Sequence, residues 1–206
     1  DTFCSLAWVH SNAERYGLDP QRIVAFGEQF GAMLAAKLGT VDDPDPFLEG
    51  CPHQLPETDW VTGIVTYGGL FFTPEATLSM GWYVMQFIGS YQLQSELPYK
   101  KMTAIFETLR DVPPREWRSS SELEEETRKV AALTPLYWAD DGDPRFLLIH
   151  GAEDNAYIFP LHSEEFAAGL QAAGSEAELL LVPGARYASL RSVEESATIY
   201  EAMEAF

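Results

Sequence analysis

Few residues in this chain have the chemistry for a reaction, and most of those stand alone. Of the four histidines, His10, His53 and His162 have no partner at metal-ligand spacing and read as surface or loop residues. Cys4 and Cys51 form no Cys-x-x-Cys pair, so buried free thiols are the expected state and one disulfide the alternative. Ser163 and Ser189 read as plain helix or turn serines. There is no Gly-rich phosphate-binding motif, and neither a metal nor an organic cofactor is expected. Three short runs remain. They are Gly27-Glu28-Gln29-Phe30-Gly31, His150-Gly151-Ala152-Glu153-Asp154 and Pro183-Gly184-Ala185-Arg186-Tyr187. Their polar groups are a carboxamide, carboxylates, an imidazole and a phenol.

The elements that position these runs follow from hydrophobic period. Residues 2–16 carry Leu6, Val9, Ala13 and Tyr16 at helical spacing, with Gly17 as a stop. Residues 22–26 form a short apolar strand that Gly27 ends, and residues 30–38 a helix closed by Gly39. Residues 40–59, rich in proline and acid, predict a surface loop. Further strands are expected at 60–67, 145–149 and 177–182, with helices at 161–173 and 192–206, the last capped by Ser192 with Glu195. Residues from about 71 to 132 mix Met and aromatic residues at helical spacing and predict a mostly helical insertion. Its acidic run, residues 119–126, suits a solvated helix start. Strands alternating with helices predict an α/β fold, with a parallel sheet covered on both faces. Such sheets carry function at the carboxyl ends of their strands, which is where the three runs fall.

The segment from Tyr16 to Ala32 resembles the esterase/lipase branch of the α/β-hydrolase fold. There a Tyr-Gly-Leu-Asp-Pro-like turn and an Arg-Ile strand lead into the nucleophile elbow, Gly-x-Ser-x-Gly. The run from Phe146 to Pro160 is similar to the family's strand, His-Gly-x-x-Asp loop and proline, and Leu181 to Ala188 is similar to its Pro-Gly-Ala-Gly-His segment. The three matches come in the order nucleophile, acid, base, with the acid about thirty residues before the base. The resemblance implies that Gln29 stands at the nucleophile position, Asp154 at the triad acid and Tyr187 at the base. The backbone N–H of Phe30 would be one oxyanion donor. His150 is then mostly structural, and Glu28, beside the nucleophile, points beneath the sheet. Residues 1–206 would be a partial hydrolase domain with residues 71–132 as a cap. The early strands and the His-Gly-Gly-like loop that supplies the second oxyanion donor are not in this chain.

Acyl transfer needs a hydroxyl or thiol and a base to draw off its proton. A carboxamide is barely nucleophilic, and a neutral tyrosine, with a pKa near 10, accepts protons poorly. The expected function is therefore an esterase-like homologue with impaired hydrolysis that keeps a pocket for a small apolar or ester-like ligand. Gln29 would bind such a ligand or simply fill the turn. Asp154 would orient Tyr187 or bond to loop amides. The alternatives are a non-catalytic protein-binding or structural scaffold, and an active enzyme using Asp154 and Tyr187 for proton transfer. The formal charge of −19 opposes nucleic acid and anionic lipid. No stretch reaches the roughly twenty apolar residues of a membrane span. The composition suits a soluble protein, cytoplasmic or secreted.

Overall fold

The computed structural model describes residues 1–79, 99–154, 159–186 and 193–206. Four strands form one sheet in the order β1-β2-β3-β4, every pair parallel. They are β1 (Val24–Glu28), β2 (Gly63–Tyr67), β3 (Arg145–Gly151) and β4 (Ala177–Val182). The described helices are α1 (Thr2–Tyr16), α2 (Phe30–Thr40), α3 (Pro74–Ser79), α4 (Tyr99–Arg110), α5 (Glu125–Ala131), α6 (Leu161–Ala173) and α7 (Val193–Ala205). The α/β architecture is the one expected. The cap of the last helix, Ser192 with Glu195, lies outside the described residues.

Parallel strands covered on both faces should read as nearly unbroken apolar runs. β2 is buried along its whole length, and β3 everywhere except Arg145. One face carries the larger core, in which Ile64, Phe146 and Leu148 meet Ala32, Ala36, Phe71, Phe106 and Phe166. The Phe71 and Phe166 rings stack with centroids 4.0 Å apart, joining the chain just after β2 to α6. The other face carries a smaller core of Val65, Tyr67, Leu147, Ile149 and Val182 against Ile199 of α7. β1 has a strand on one side only among the described residues, and Val24 and Phe26 on its outer face are 49% and 56% exposed.

Several boundaries differ from the sequence reading, three of them for a clear tertiary reason. β1 does not stop at Gly27. It continues through Glu28 because Gly27 and Glu28 pair with Thr66 and Tyr67 of β2. β2 starts at Gly63 rather than Trp60, since Trp60 turns aside to donate its indole N–H to the Leu38 carbonyl. Gly39 does not close α2, which runs on to Thr40. Gly39 is where the helix presses on the sheet, and a Cβ there would lie 2.7 Å from Ile64 Cγ1 and 3.0 Å from Phe146 Cζ.

Cys4 and Cys51 are joined in a disulfide with Cα atoms 5.7 Å apart, which corrects the expectation of free thiols. Their pairing follows from the docking of α1 on the loop after α2, where Phe3 stacks on Phe47 at 4.9 Å.

Gly39 and Gly31 lie on the same helix in opposite surroundings. Gly39→Ala should cost about 1–3 kcal/mol by overpacking, despite the better helix propensity of alanine. Gly31→Ala, whose Cβ would meet nothing within 4 Å, should not destabilise the fold. Urea denaturation of the two variants checks this contrast.

Candidate active site

The chain leaves β1 at Glu28 and enters α2 at Phe30, so a single residue makes the turn. That residue, Gln29, has φ 54° and ψ −115°, a conformation that side chains with a Cβ rarely adopt. Its N–H donates to the Tyr67 carbonyl at 3.1 Å, and its own carbonyl accepts from Ala32 N–H at 3.2 Å and Leu70 N–H at 3.3 Å. These bonds hold the turn between the end of β2 and the start of α2. Gly27 makes the turn possible, because a Cβ there would sit 2.1 Å from the Gly31 carbonyl oxygen. Gly31 itself needs no such freedom. Only the first glycine of the pair is demanded by close approach. Glu28 is exposed, on the same face as Val24 and Phe26.

The other strand ends converge on the same edge of the sheet. Gly68, at φ 54°, donates its N–H to the Ile149 carbonyl at 2.9 Å. After β3 the chain folds over the turn that follows β4, with Ala152 N–H bonded to the Val182 carbonyl and Glu153 N–H to the Ala185 carbonyl, each at 3.0 Å. A Cβ on Gly151 would lie 2.6 Å from the Ala185 oxygen, so this crossing also requires glycine. The Arg186 and Glu153 side chains pair across it at 3.8 Å. Asp154 closes the loop and is 5% exposed. Tyr187 lies outside the described residues. Phe30, at the head of α2, meets Phe72 edge-on at 6.2 Å, where the helical segment after β2 begins.

Beneath Asp154 lies a buried polar group that the sequence reading missed. His150 Nδ1 and Ser163 Oγ share a hydrogen bond of 2.7 Å, and His150 Nε2 stands 3.8 Å from Asp154 Oδ2. His150, Ser163 and the neighbouring His162 are fully buried. Ser163 lies in a helix, as expected, but it is buried and is not an accessible nucleophile. His162 is not a surface residue, and burial, aided by the charge of His150, lowers its pKa to about 3. Nothing local in the sequence marks this contact, because its partners come from β3 and from the first turn of α6. Elsewhere, His10 Nε2 lies 2.8 Å from the Trp60 carbonyl. No group of three or more His, Cys, Asp or Glu that could hold a metal ion occurs among the described residues. No described helix is long and apolar enough to cross a membrane.

Two predictions follow from this geometry. The strain at Gln29 should be relieved by glycine, so Gln29→Gly should raise the stability in urea by about 1 kcal/mol, while the β-branched Gln29→Val should lower it. His162, held neutral in the fold, binds its proton only in the unfolded chain between pH 6.5 and about 3. Its contribution is therefore complete above pH 6.5 and falls by at most about 1.4 kcal/mol per pH unit below it. Asp143 acts in the opposite sense. Burial raises its pKa to about 7, so its buried carboxylate costs stability at neutral pH, and that cost disappears as pH falls. Denaturation at pH 7 and pH 4 should show a shallower acid loss for His162→Gln and a steeper one for Asp143→Asn.

No protein-family model matches the sequence, and no curated protein does. Solved structures do match its fold. An esterase from the Planctomycetes species Thermogutta terrifontis, with propionate bound, is 20% identical with a TM-score of 0.60, over 97% of this chain and 60% of that one. The same esterase with butyrate bound gives a TM-score of 0.56 at 20% identity, over 97% and 61%. A truncated carbohydrate esterase from gut microbiota gives 0.57 at 19% identity, over 97% and 65%. This chain thus spans about 60% of the length of the Thermogutta esterase structures it matches. Its parallel sheet and helices share the α/β-hydrolase fold of these structures.

Proposed function

We propose that this chain is an esterase-like hydrolase homologue impaired in ester hydrolysis, with a strand-end site that still receives a small neutral ester-like ligand. The observation that carries the reading is Gln29, the single strained residue between β1 and α2. In an esterase-like fold this turn is where a nucleophile is expected, and here it presents a carboxamide. An amide offers a donor and an acceptor to a ligand carbonyl but has no proton whose removal makes it a nucleophile. The Phe30 N–H, at the positive end of α2, suits a carbonyl oxygen placed above the turn. Asp154 takes the acid position and Tyr187 the base position by resemblance, and the buried His150–Ser163 pair supports the loop that carries Asp154. Residues 71–132 would cover the site as a cap, and the contacts of Phe72 with Phe30 and of Phe71 with Phe166 favour this. The esterase structures with propionate and butyrate bound suggest a short acyl group as the ligand's apolar part. The net charge of −19 favours a neutral ester over a free carboxylate.

A non-catalytic, partner-binding role is the second reading. It is favoured by the exposed Trp8 and Tyr16, whose rings lie 5.6 Å apart on α1.

The test is hydrolysis of p-nitrophenyl butyrate, together with covalent labelling by paraoxon, which phosphorylates the Thermogutta esterase. The protein itself should be inert and unlabelled. The double variant Gln29→Ser, Tyr187→His should turn over and gain one phosphoryl group at residue 29. Enzyme-like turnover by the unmodified protein would place the nucleophile elsewhere and end this reading. A double variant that neither binds nor cleaves the ester would favour the scaffold.

A further inference from the structure

The disulfide stands apart from the site and from the reading above. Cys4 and Cys51 are the chain's two cysteines and both are consumed by it. It joins the first turn of α1 to the loop between α2 and β2. Within that loop the regular structure is one short 3-10 turn, Asp45–Phe47, and four prolines interrupt it. α1 in turn meets the loop through the stack of Phe3 on Phe47 and the contact of His10 with the Trp60 carbonyl. The loop is tied to the rest of the fold by the Trp60 indole on Leu38 and the edge contact of Phe47 with Trp138 at 6.2 Å. The route from α1 to α2 along this side therefore passes through a segment with little backbone order of its own, and the covalent bond spans it. The sequence separation of 47 residues is long enough for a cross-link to remove substantial freedom from the unfolded chain. Both cysteines are only partly buried, and Cys4 lines an open surface groove with Trp8, Val9, Pro52 and His53. A small thiol can reach Cys4 there.

We propose that Cys4–Cys51 is a redox-dependent clamp that keeps α1 docked, and that the chain matures in an oxidising compartment. Closing the clamp removes two thiol protons and two electrons, which pass by thiol–disulfide exchange to a disulfide-donating oxidant of that compartment. A dithiol reductant supplies the two electrons back and is itself oxidised to a disulfide. With the bond open, α1 is still held by its buried Phe3, Leu6, Ala7 and Ala13 and by the His10 contact, and it opens locally more often while the buried strands β2 and β3 hold. The consequence is a protein whose α1, the helix that leads into β1 and the Gln29 turn, is fully ordered only where disulfides persist.

The experiment uses the full chain, with and without tris(2-carboxyethyl)phosphine, beside the Cys4→Ala, Cys51→Ala variant. Unfolded without reductant, the chain should show no free thiol, and after reduction two. Reduction should lower the melting temperature by roughly 10 °C. Amide exchange in α1 should quicken by roughly a hundredfold while β2 and β3 keep their protection. The double variant should match the reduced protein and ignore the reductant. Two free thiols in the air-oxidised protein, an unchanged melting temperature, or loss of protection spread equally over β2 and β3 would each overturn the clamp. Ester hydrolysis enters none of these readouts, so the result stands whatever the elbow proves to do.

Discussion

The structure depends on one crossing, where β1 turns into α2 with Gly27 pressed against the backbone of Gly31. The space between them admits no side chain, so the strand can end and the helix begin with only Gln29 between. The turn at the carboxyl end of β1 is placed by this constraint. The Gln29 N–H reaches the last carbonyl of β2, and its carbonyl takes the N–H of Leu70, so the turn is locked to the neighbouring strand rather than left as a free loop. The backbone conformation of Gln29 is the cost of that arrangement, of order 1–3 kcal/mol. A parallel sheet buried on both faces supplies the rigidity to hold it.

A second glycine crossing, at Gly151 under Ala185, does the same for the loop of Asp154. Two tight approaches thus bring separate strand ends into one polar edge over an apolar core. Below it, His150 and Ser163 replace water for one another, which is how an imidazole tolerates complete burial. His162 tolerates it by remaining neutral.

The opposite end of the sheet has a different character. Asp143, just before β3, accepts from Ser175 Oγ at 2.7 Å and from the Asp140 N–H at 3.2 Å, and Arg118 reaches Asp42 at 3.1 Å and Asp140 at 3.6 Å. One guanidinium among these carboxylates does not offset the burial of Asp143, whose proton is held to about pH 7. The acidity of the chain is thus felt inside the fold as well as on its surface. Proton uptake by Asp143 and by the unfolded-state His162 oppose each other across the weakly acidic range.

The sequence determined the parts of this protein that are local. Hydrophobic alternation with helical period gave the parallel α/β order, because each element declares its buried face within a few residues. The Gly27-to-Gly31 spacing gave the strand–turn–helix around Gln29, because the glycine demand arises from backbone only four positions away. Tertiary structure alone decided the rest. β1 gained Gly27 and Glu28 because β2 offers them partners, and Gly39 proved to be a contact with Ile64 rather than a helix stop. The bond between His150 and Ser163 joins two elements that carry no mark of each other. The disulfide depends on a Cα separation that cysteine spacing cannot encode. In each case the deciding energy is an interaction between segments distant in the chain, and only folding sets that distance.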